Sequence, residues 1–152
     1  MTRRALALVS FLVRDYDEAL AFFLDALRFE RVADEPLPGG KRWLVVAPPG
    51  GRGAALLLAR AATPEQRAQL GKQAGGRVAF FLETEDFQGD YRHLEARGVK
   101  FLESPREEPY GTVVVFEDLY GNRWDLLEPA SKRNHPEQAT PVEIPGARAT
   151  SS

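Results

Sequence analysis

Cysteine is absent from this sequence, which excludes disulfides, thiolate catalysis and zinc sites built from cysteine. Histidine is scarce, with 2 residues among 152, so a metal site made of several histidines is also excluded. No apolar run reaches the roughly 20 residues that a membrane span requires. The net charge is −2 and no basic stripe is visible, so we expect neither nucleic acid nor membrane as a partner.

The remaining composition is that of a folded protein with a hydrophobic core. Hydrophobic residues make up 43% and charged residues 28% of the chain, which disfavours disorder over most of its length. The basic and then apolar N-terminus raises the alternative of a signal peptide. However, Asp15, Asp17 and Glu18 follow directly, and no cleavage site of small residues is present. We therefore interpret the apolar run as a strand and expect a cytoplasmic protein.

The first half of the chain predicts one strand, one helix and three further strands. Asp15-Tyr-Asp-Glu18 is a capping box that opens an amphipathic helix of about three turns. The predicted strands are Leu6–Val13, Phe29–Ala33, Arg42–Ala47 and Ala54–Ala59. Thr63 then caps a short linker helix that ends by Gly75-Gly76.

The second half repeats the same order. Asp86 caps a helix that runs to about Arg97, and the segment from Pro105 to Pro109 is predicted to be a charged loop. The predicted strands are Arg77–Glu83, Val99–Leu102, Gly111–Phe116 and Arg123–Leu127. The fold class is therefore α+β, with two βαβββ modules.

The predicted domain organisation is a single domain over residues 1–130, with modules at 4–60 and 76–129 and a helical linker at 63–75. Residues 131–152 contain three prolines and polar residues without periodicity, so we expect a flexible C-terminal tail.

Two motifs carry a resemblance to a known family. Val13-Arg-Asp-Tyr-Asp-Glu-Ala19, with Phe22-Phe23 and Leu27-Arg-Phe29, resembles the opening of the vicinal-oxygen-chelate superfamily, which includes glyoxalase, bleomycin-resistance and extradiol dioxygenase proteins. Tyr110-Gly111, followed by the run from Phe116 to Pro129, resembles its closing motif. The resemblance implies two modules that form a curved mixed sheet around a cavity, usually in a homodimer.

Two details of these motifs predict local structure. Asp118, Gly121 and Asn122 are expected to supply the positive φ angles of a tight hairpin. Arg28 stands where the family has glycine, so a left-handed end to the first helix would cost about 1 kcal/mol there.

The family's metal enzymes place His, Gln and Glu ligands on strands 1, 4, 5 and 8, and the resemblance maps these positions onto this chain. Leu8 occupies the first, the acid-free strand Ala54–Ala59 the second, and Arg77 the third. Only Asp125, at the last position, keeps an acid, while His93 and His135 lie elsewhere. Because three of the four expected ligands are missing, we expect no metal cofactor.

Arg77 and Asp125 would be neighbours at the former metal position, so a charge-assisted pair between them is predicted. This pair would either fill the site structurally or leave Arg77 to meet an anionic group of a ligand.

Further candidates follow from strand alternation and from residue chemistry. Alternation from Leu8 and Arg77 directs Ser10, Leu12, Ala79, Phe81 and Glu83 towards one face. The candidate ligand-binding residues are Arg77, Asp125, Trp43, Ser10, Phe81 and Tyr110. The candidate catalytic residues are Asp125, Tyr110 and Glu83. Core packing of Trp43, a loop-exit role for Tyr110 and a solvated Glu83 remain the structural alternatives.

Three functions compete. The first is a metal-free member that binds a small molecule, for sequestration or resistance. The second is a lyase, isomerase or dioxygenase of the same fold with a divergent active site. The third is a scaffold or interaction module without a ligand. The fold alone cannot separate the three, because this architecture hosts many chemistries. We prefer the first, since three of the four expected metal ligands are missing.

Overall fold

A computed structural model describes residues 1–130, and the segment 131–152, predicted to be a flexible tail, lies outside the described residues. The chain divides into two units, Met1–Gln73 and a second that begins at Ala74. Within the described part of the chain, the helices are too short or too polar to cross a membrane.

The first unit is a four-stranded mixed sheet with helices. Its strand order is β1-β4-β3-β2, in which β1 and β4 are parallel and the other neighbours are antiparallel. Short helical turns occupy Phe22–Ala26, which is π-helical, and Pro38–Gly40. The main elements are β1 (Leu8–Val13), α1 (Tyr16–Ala21), β2 (Glu30–Pro36), β3 (Arg42–Ala47), β4 (Ala55–Arg60) and α2 (Pro64–Ala68).

The start and the end of α1 follow from particular side chains. Asp15 caps the helix and accepts a hydrogen bond from the backbone N–H of Glu18 at 2.8 Å. After the π-helical turn the chain passes through Arg28, which has a φ of 56°. The left-handed helix end that was considered from the sequence at Arg28 is therefore present. The helical face and the sheet enclose a core of fully buried side chains, among them Phe11, Phe23, Leu44 and Leu58.

The second unit repeats the order and adds one short strand. Its sheet order is β5-β9-β8-β6, with β5 parallel to β9, and β7 pairs with β8. The segment that contains β7 was expected to be a charged loop, and its pairing with β8 corrects that prediction. The elements are β5 (Val78–Glu83), α3 (Phe87–Ala96), β6 (Lys100–Phe101), β7 (Arg106–Glu108), β8 (Gly111–Glu117) and β9 (Arg123–Pro129). The predicted α+β class is confirmed, and the strands form two mixed sheets, one in each unit.

The turn between β8 and β9 is organised by one buried carboxylate. Asp118 Oδ1 accepts from the backbone N–H groups of Tyr120 and Asn122, at 2.9 and 3.0 Å. Its Oδ2 accepts from Asn122 Nδ2 at 3.1 Å and from Trp124 Nε1 at 2.9 Å. Of the three residues expected to have positive φ, only Gly121 does, at 97°. Asp118 and Asn122 thus act through side-chain hydrogen bonds instead.

Replacement of Arg28 by glycine should stabilise the protein by about 1 kcal/mol, because glycine adopts positive φ without the Cβ clash. Urea unfolding of the wild type and the R28G variant measures this change. Arg31→Gly, on β2, is the matched control and should destabilise, since glycine weakens a strand. A destabilised R28G variant would show that the left-handed residue is not strained.

Replacement of Asp118 by asparagine should destabilise the protein by about 2 kcal/mol. The asparagine NH₂ group would face the donors of Asn122 and Trp124 and leave them without an acceptor. Chemical denaturation provides the measurement, and Glu95→Gln on α3 is the control, with a change below about 0.5 kcal/mol. Equal stability of D118N and wild type would refute the role assigned to the carboxylate.

Candidate functional site

The register of the second sheet places Asp125 among apolar side chains. On β9, Asp125 lies opposite Val115 of β8 and beside Phe81 of parallel β5. Paired residues project from the same face of a sheet, so these three side chains lie together. We use the name Asp125 face for the surface formed by Phe81, Glu83, Val113, Val115, Asp125 and Leu127.

Asp125 is a buried carboxyl group with an unsatisfied oxygen. The residue is 3% exposed, and its Oδ1 has no hydrogen-bond partner. Such an atom costs about 1–3 kcal/mol when it loses water without gaining a new partner. Phe81, beside it, is 38% exposed and forms the accessible part of the same face. The Asp125 face therefore combines a free acceptor with accessible aromatic surface.

Burial also changes the acidity of this carboxyl group. Desolvation raises the pKa of Asp125 to about 6, the negative charge of Glu103 adds to the rise, and the positive charge of Arg106 opposes it. The group therefore changes its protonation state close to neutral pH, where it can accept or donate a hydrogen bond.

Arg106, on β7, is held by acidic neighbours. Its Nε donates to Glu103 at 2.9 Å and its Nη1 donates to Glu108 at 2.6 Å. The bond to Glu103 contributes most to a pKa of Arg106 above its usual value, and a side-chain bond to Tyr110 adds to it. The second oxygen of Glu103 accepts from the backbone N–H of Val115, the residue opposite Asp125, at 2.9 Å.

Sequence reasoning missed Arg106 and Glu103 as neighbours of Asp125. The segment was predicted to be a loop, and only its pairing with β8 brings it beside Val113 and Val115. The sequence offered only one arginine among three glutamates from Glu103 to Glu108, and this composition does not indicate a strand pairing.

The predicted pair between Arg77 and Asp125 does not form, and the reason is a bulge. The register of β5 against β9 shifts between Val78 and Phe80, so strict alternation from Arg77 fails before it reaches Phe81. Arg77 lies before β5 and is exposed. Among the described residues, no ion pair joins it to Asp125. Arg106, not Arg77, is the cation whose charge acts on Asp125.

The other predicted residues of the second module have distinct positions. Glu83 lies beside Leu127 on the Asp125 face and is exposed. Tyr110 is half-buried and joins the network of Arg106, while Ala130 donates to its carbonyl group at 3.0 Å. The next residue, Gly111, must be glycine because a Cβ at this position would collide with the carbonyl oxygen of Glu128. Catalytic and ligand-binding roles for Glu83, Phe81 and Tyr110 stay predictions.

Ser10 and Trp43 share one face of the first unit's sheet. Ser10 pairs with Leu57, which pairs with Val45, and Trp43 lies two residues from Val45 on β3. Ser10 is exposed, and Trp43 is 41% exposed. Trp43 is thus available for contact with a flat molecule, rather than buried in the core. Ligand contact by either residue stays a prediction.

The donor set of the described residues does not fit the divalent metal of the family's enzymes. Leu8 lies opposite Ala55 of β4, and neither side chain can bind a metal. Within residues 1–130, no three His, Cys, Asp or Glu side chains converge at a distance suited to a shared ion. We therefore derive no chemistry through a metal.

Comparisons with known proteins agree with the fold. The sequence matches the Glyoxalase/Bleomycin resistance protein/Dioxygenase superfamily over residues 5–126. A protein of Shewanella frigidimarina (strain NCIMB 400) is 50% identical over 127 residues, which is 83% of this chain and 94% of that protein.

Two solved structures are also similar. TnmS3, an antibiotic binding protein from Streptomyces sp. CB03234, shares 31% identity at a TM-score of 0.68, over 86% of this chain and 99% of that one. A glyoxalase/bleomycin resistance protein/dioxygenase superfamily member from Sphaerobacter thermophilus DSM 20745 shares 29% identity at a TM-score of 0.69, over 83% and 98%.

Replacement of Asp125 by asparagine should remove a pH dependence of stability. The folded protein binds the proton of Asp125 more tightly than the unfolded chain, because burial raises the pKa from 3.8 to about 6. Protonation of Asp125 therefore contributes at most about 3 kcal/mol to the free energy of unfolding. This contribution is fully present below about pH 4 and is lost as the pH rises through about 6. Relative to the wild type, D125N should therefore gain stability from pH 4 to pH 7.5.

Urea unfolding at several pH values measures this difference. Glu107→Gln, at an exposed position of β7, is the control and should follow the wild-type profile. Parallel profiles of D125N and wild type would contradict the raised pKa.

Proposed function

The chain belongs to the Glyoxalase/Bleomycin resistance protein/Dioxygenase superfamily, and we propose that it binds a small organic molecule without a metal ion. Binding of this kind serves to sequester a compound or to confer resistance to it. A homodimer in the cytoplasm is part of the proposal.

The observation that carries the proposal is the unsatisfied carboxyl oxygen of Asp125 beside accessible aromatic surface. A ligand N–H or O–H group that donates to Oδ1 would restore the hydrogen bond that burial removed. Phe81 and Val115 offer apolar contact next to that acceptor. Few polar groups on a mainly apolar lining are typical of sites for small organic molecules.

The chemistry of the site also favours binding without a metal. A divalent ion needs several converging donors. Of the positions that the family's enzymes use for them, the first is Leu8, the second lies in an acid-free strand and the third is Arg77. TnmS3, which is described as an antibiotic binding protein, supports the same class of function for this chain.

A second candidate function is proton-transfer catalysis at the same place. A carboxyl group with a pKa of about 6 is suited to act as general acid or base near neutral pH. This observation favours a lyase or isomerase with Asp125 as the group that moves the proton. The side chain of Tyr110 is hydrogen-bonded to Arg106, so it belongs to the same network as the cation that acts on Asp125.

A thermal-shift screen tests the proposal. The compounds are antibiotics, aromatic diols and glutathione adducts, each with EDTA and with added Mg²⁺, Mn²⁺ or Zn²⁺. We expect at least one compound to raise Tm by about 3 °C or more at ten times its Kd, equally with and without EDTA. Asp125→Ala should reduce that shift, and Glu107→Gln should not.

Three outcomes contradict parts of the proposal. A shift that requires added metal, or stoichiometric metal in the purified protein, would refute metal-free binding. Turnover of a bound compound that D125N abolishes would favour the enzyme instead. A protein that no compound stabilises would favour the scaffold alternative.

A further inference from the structure

We infer that the ligand of the Asp125 face is an organic cation, with a protonated nitrogen that donates to Asp125 and an apolar part that lies on Phe81. The inference rests on the proposed function and names the chemical class of its ligand. It replaces the anionic ligand that a free Arg77 was expected to attract.

The unpartnered oxygen of Asp125 determines which chemical groups of a ligand can bind to it. Oδ1 of Asp125 is buried and has no partner, while the residue itself is 97% removed from solvent. An ionised carboxylate only accepts hydrogen bonds, so its complement must donate. A carboxylate or phosphate on the ligand would place acceptor against acceptor and like charge against like charge.

Arg106 supplies the positive charge that acts on Asp125, and acidic side chains already bind it. Arg106 donates to Glu103 and to Glu108, at 2.9 and 2.6 Å, so its guanidinium group is already matched by two carboxylates. Its charge acts on Asp125 without an ion pair between the two groups, so it offsets the charge of that carboxylate only in part. Counted together, Glu103, Glu108 and Asp125 exceed Arg106 by two negative charges.

The other charged side chains near the Asp125 face do not remove this excess of negative charge. Glu83 adds another carboxylate beside Leu127. Arg123, two residues before Asp125 on β9, lies opposite Glu117 of β8, and Glu117 also pairs with Lys100 of β6 at 3.8 Å. These three side chains together add one positive charge, which the carboxylate of Glu83 offsets. A cation brought to Asp125 therefore enters a region of negative potential, and a charge-assisted bond to it is stronger than a neutral one.

Three matched aromatic probes test the inference on the full chain at pH 8: 2-naphthylmethylamine, 2-naphthylmethanol and 2-naphthoate. They share one apolar body and differ in whether the polar group is cationic, neutral or anionic. Chemical-shift titrations of the ¹⁵N-labelled protein give each Kd and follow the amides of Phe81, Val115 and Asp125.

We expect the amine to bind about tenfold more tightly than the alcohol, and the naphthoate to bind most weakly. Asp125→Asn should remove the advantage of the amine and leave the Kd of the alcohol unchanged. Glu107→Gln is the matched control, because it removes one exposed carboxylate of β7 and should leave all three Kd values unchanged.

The outcomes separate the inference from the proposed function. Binding of the alcohol without any advantage for the amine would overturn the inference and leave small-molecule binding in place. An advantage that persists in D125N would overturn the assignment to Asp125. Failure of all three probes to shift these amides would overturn the inference, whereas the proposed function fails only if the thermal-shift screen also finds no compound that stabilises the protein.

Discussion

The register of β9 is the constraint on which the candidate site depends, and the four hydrogen bonds accepted by Asp118 set that register at the preceding turn. The turn aligns Trp124 with Phe116 on one face and Asp125 with Val115 on the other. A slip of one residue would exchange the two faces, so that the indole and the carboxyl group would change sides. The closing motif is therefore a structural device that places one carboxyl group among apolar side chains.

Periodicity was sufficient to predict the α+β class and the repeated βαβββ order, because both follow from local sequence. The candidate site was harder to predict from the sequence, since it depends on pairing between distant segments. The bulge before Phe80 reverses the alternation on which the Arg77 prediction relied. The pairing of β7 with β8 brings Arg106 beside Val113. The sequence does not indicate this pairing, because the segment is too short and too charged to resemble a strand.

The corrected site has a different electrostatic character from the predicted one. A pair between Arg77 and Asp125 would have neutralised the carboxyl group, whereas Arg106 is shared between Glu103 and Glu108. Burial then dominates, and Asp125 retains an oxygen without a partner and a raised pKa. An unsatisfied buried acceptor of this kind is costly to stability, which is common where a group serves binding or catalysis.

The most direct test of this account is the titration of the Asp125 side-chain carboxyl carbon by ¹³C NMR in the ligand-free protein. The account predicts an apparent pKa of about 6 for this group. A pKa below the ordinary value of 3.8 would contradict it, because such a value would show that a cation neutralises the carboxylate.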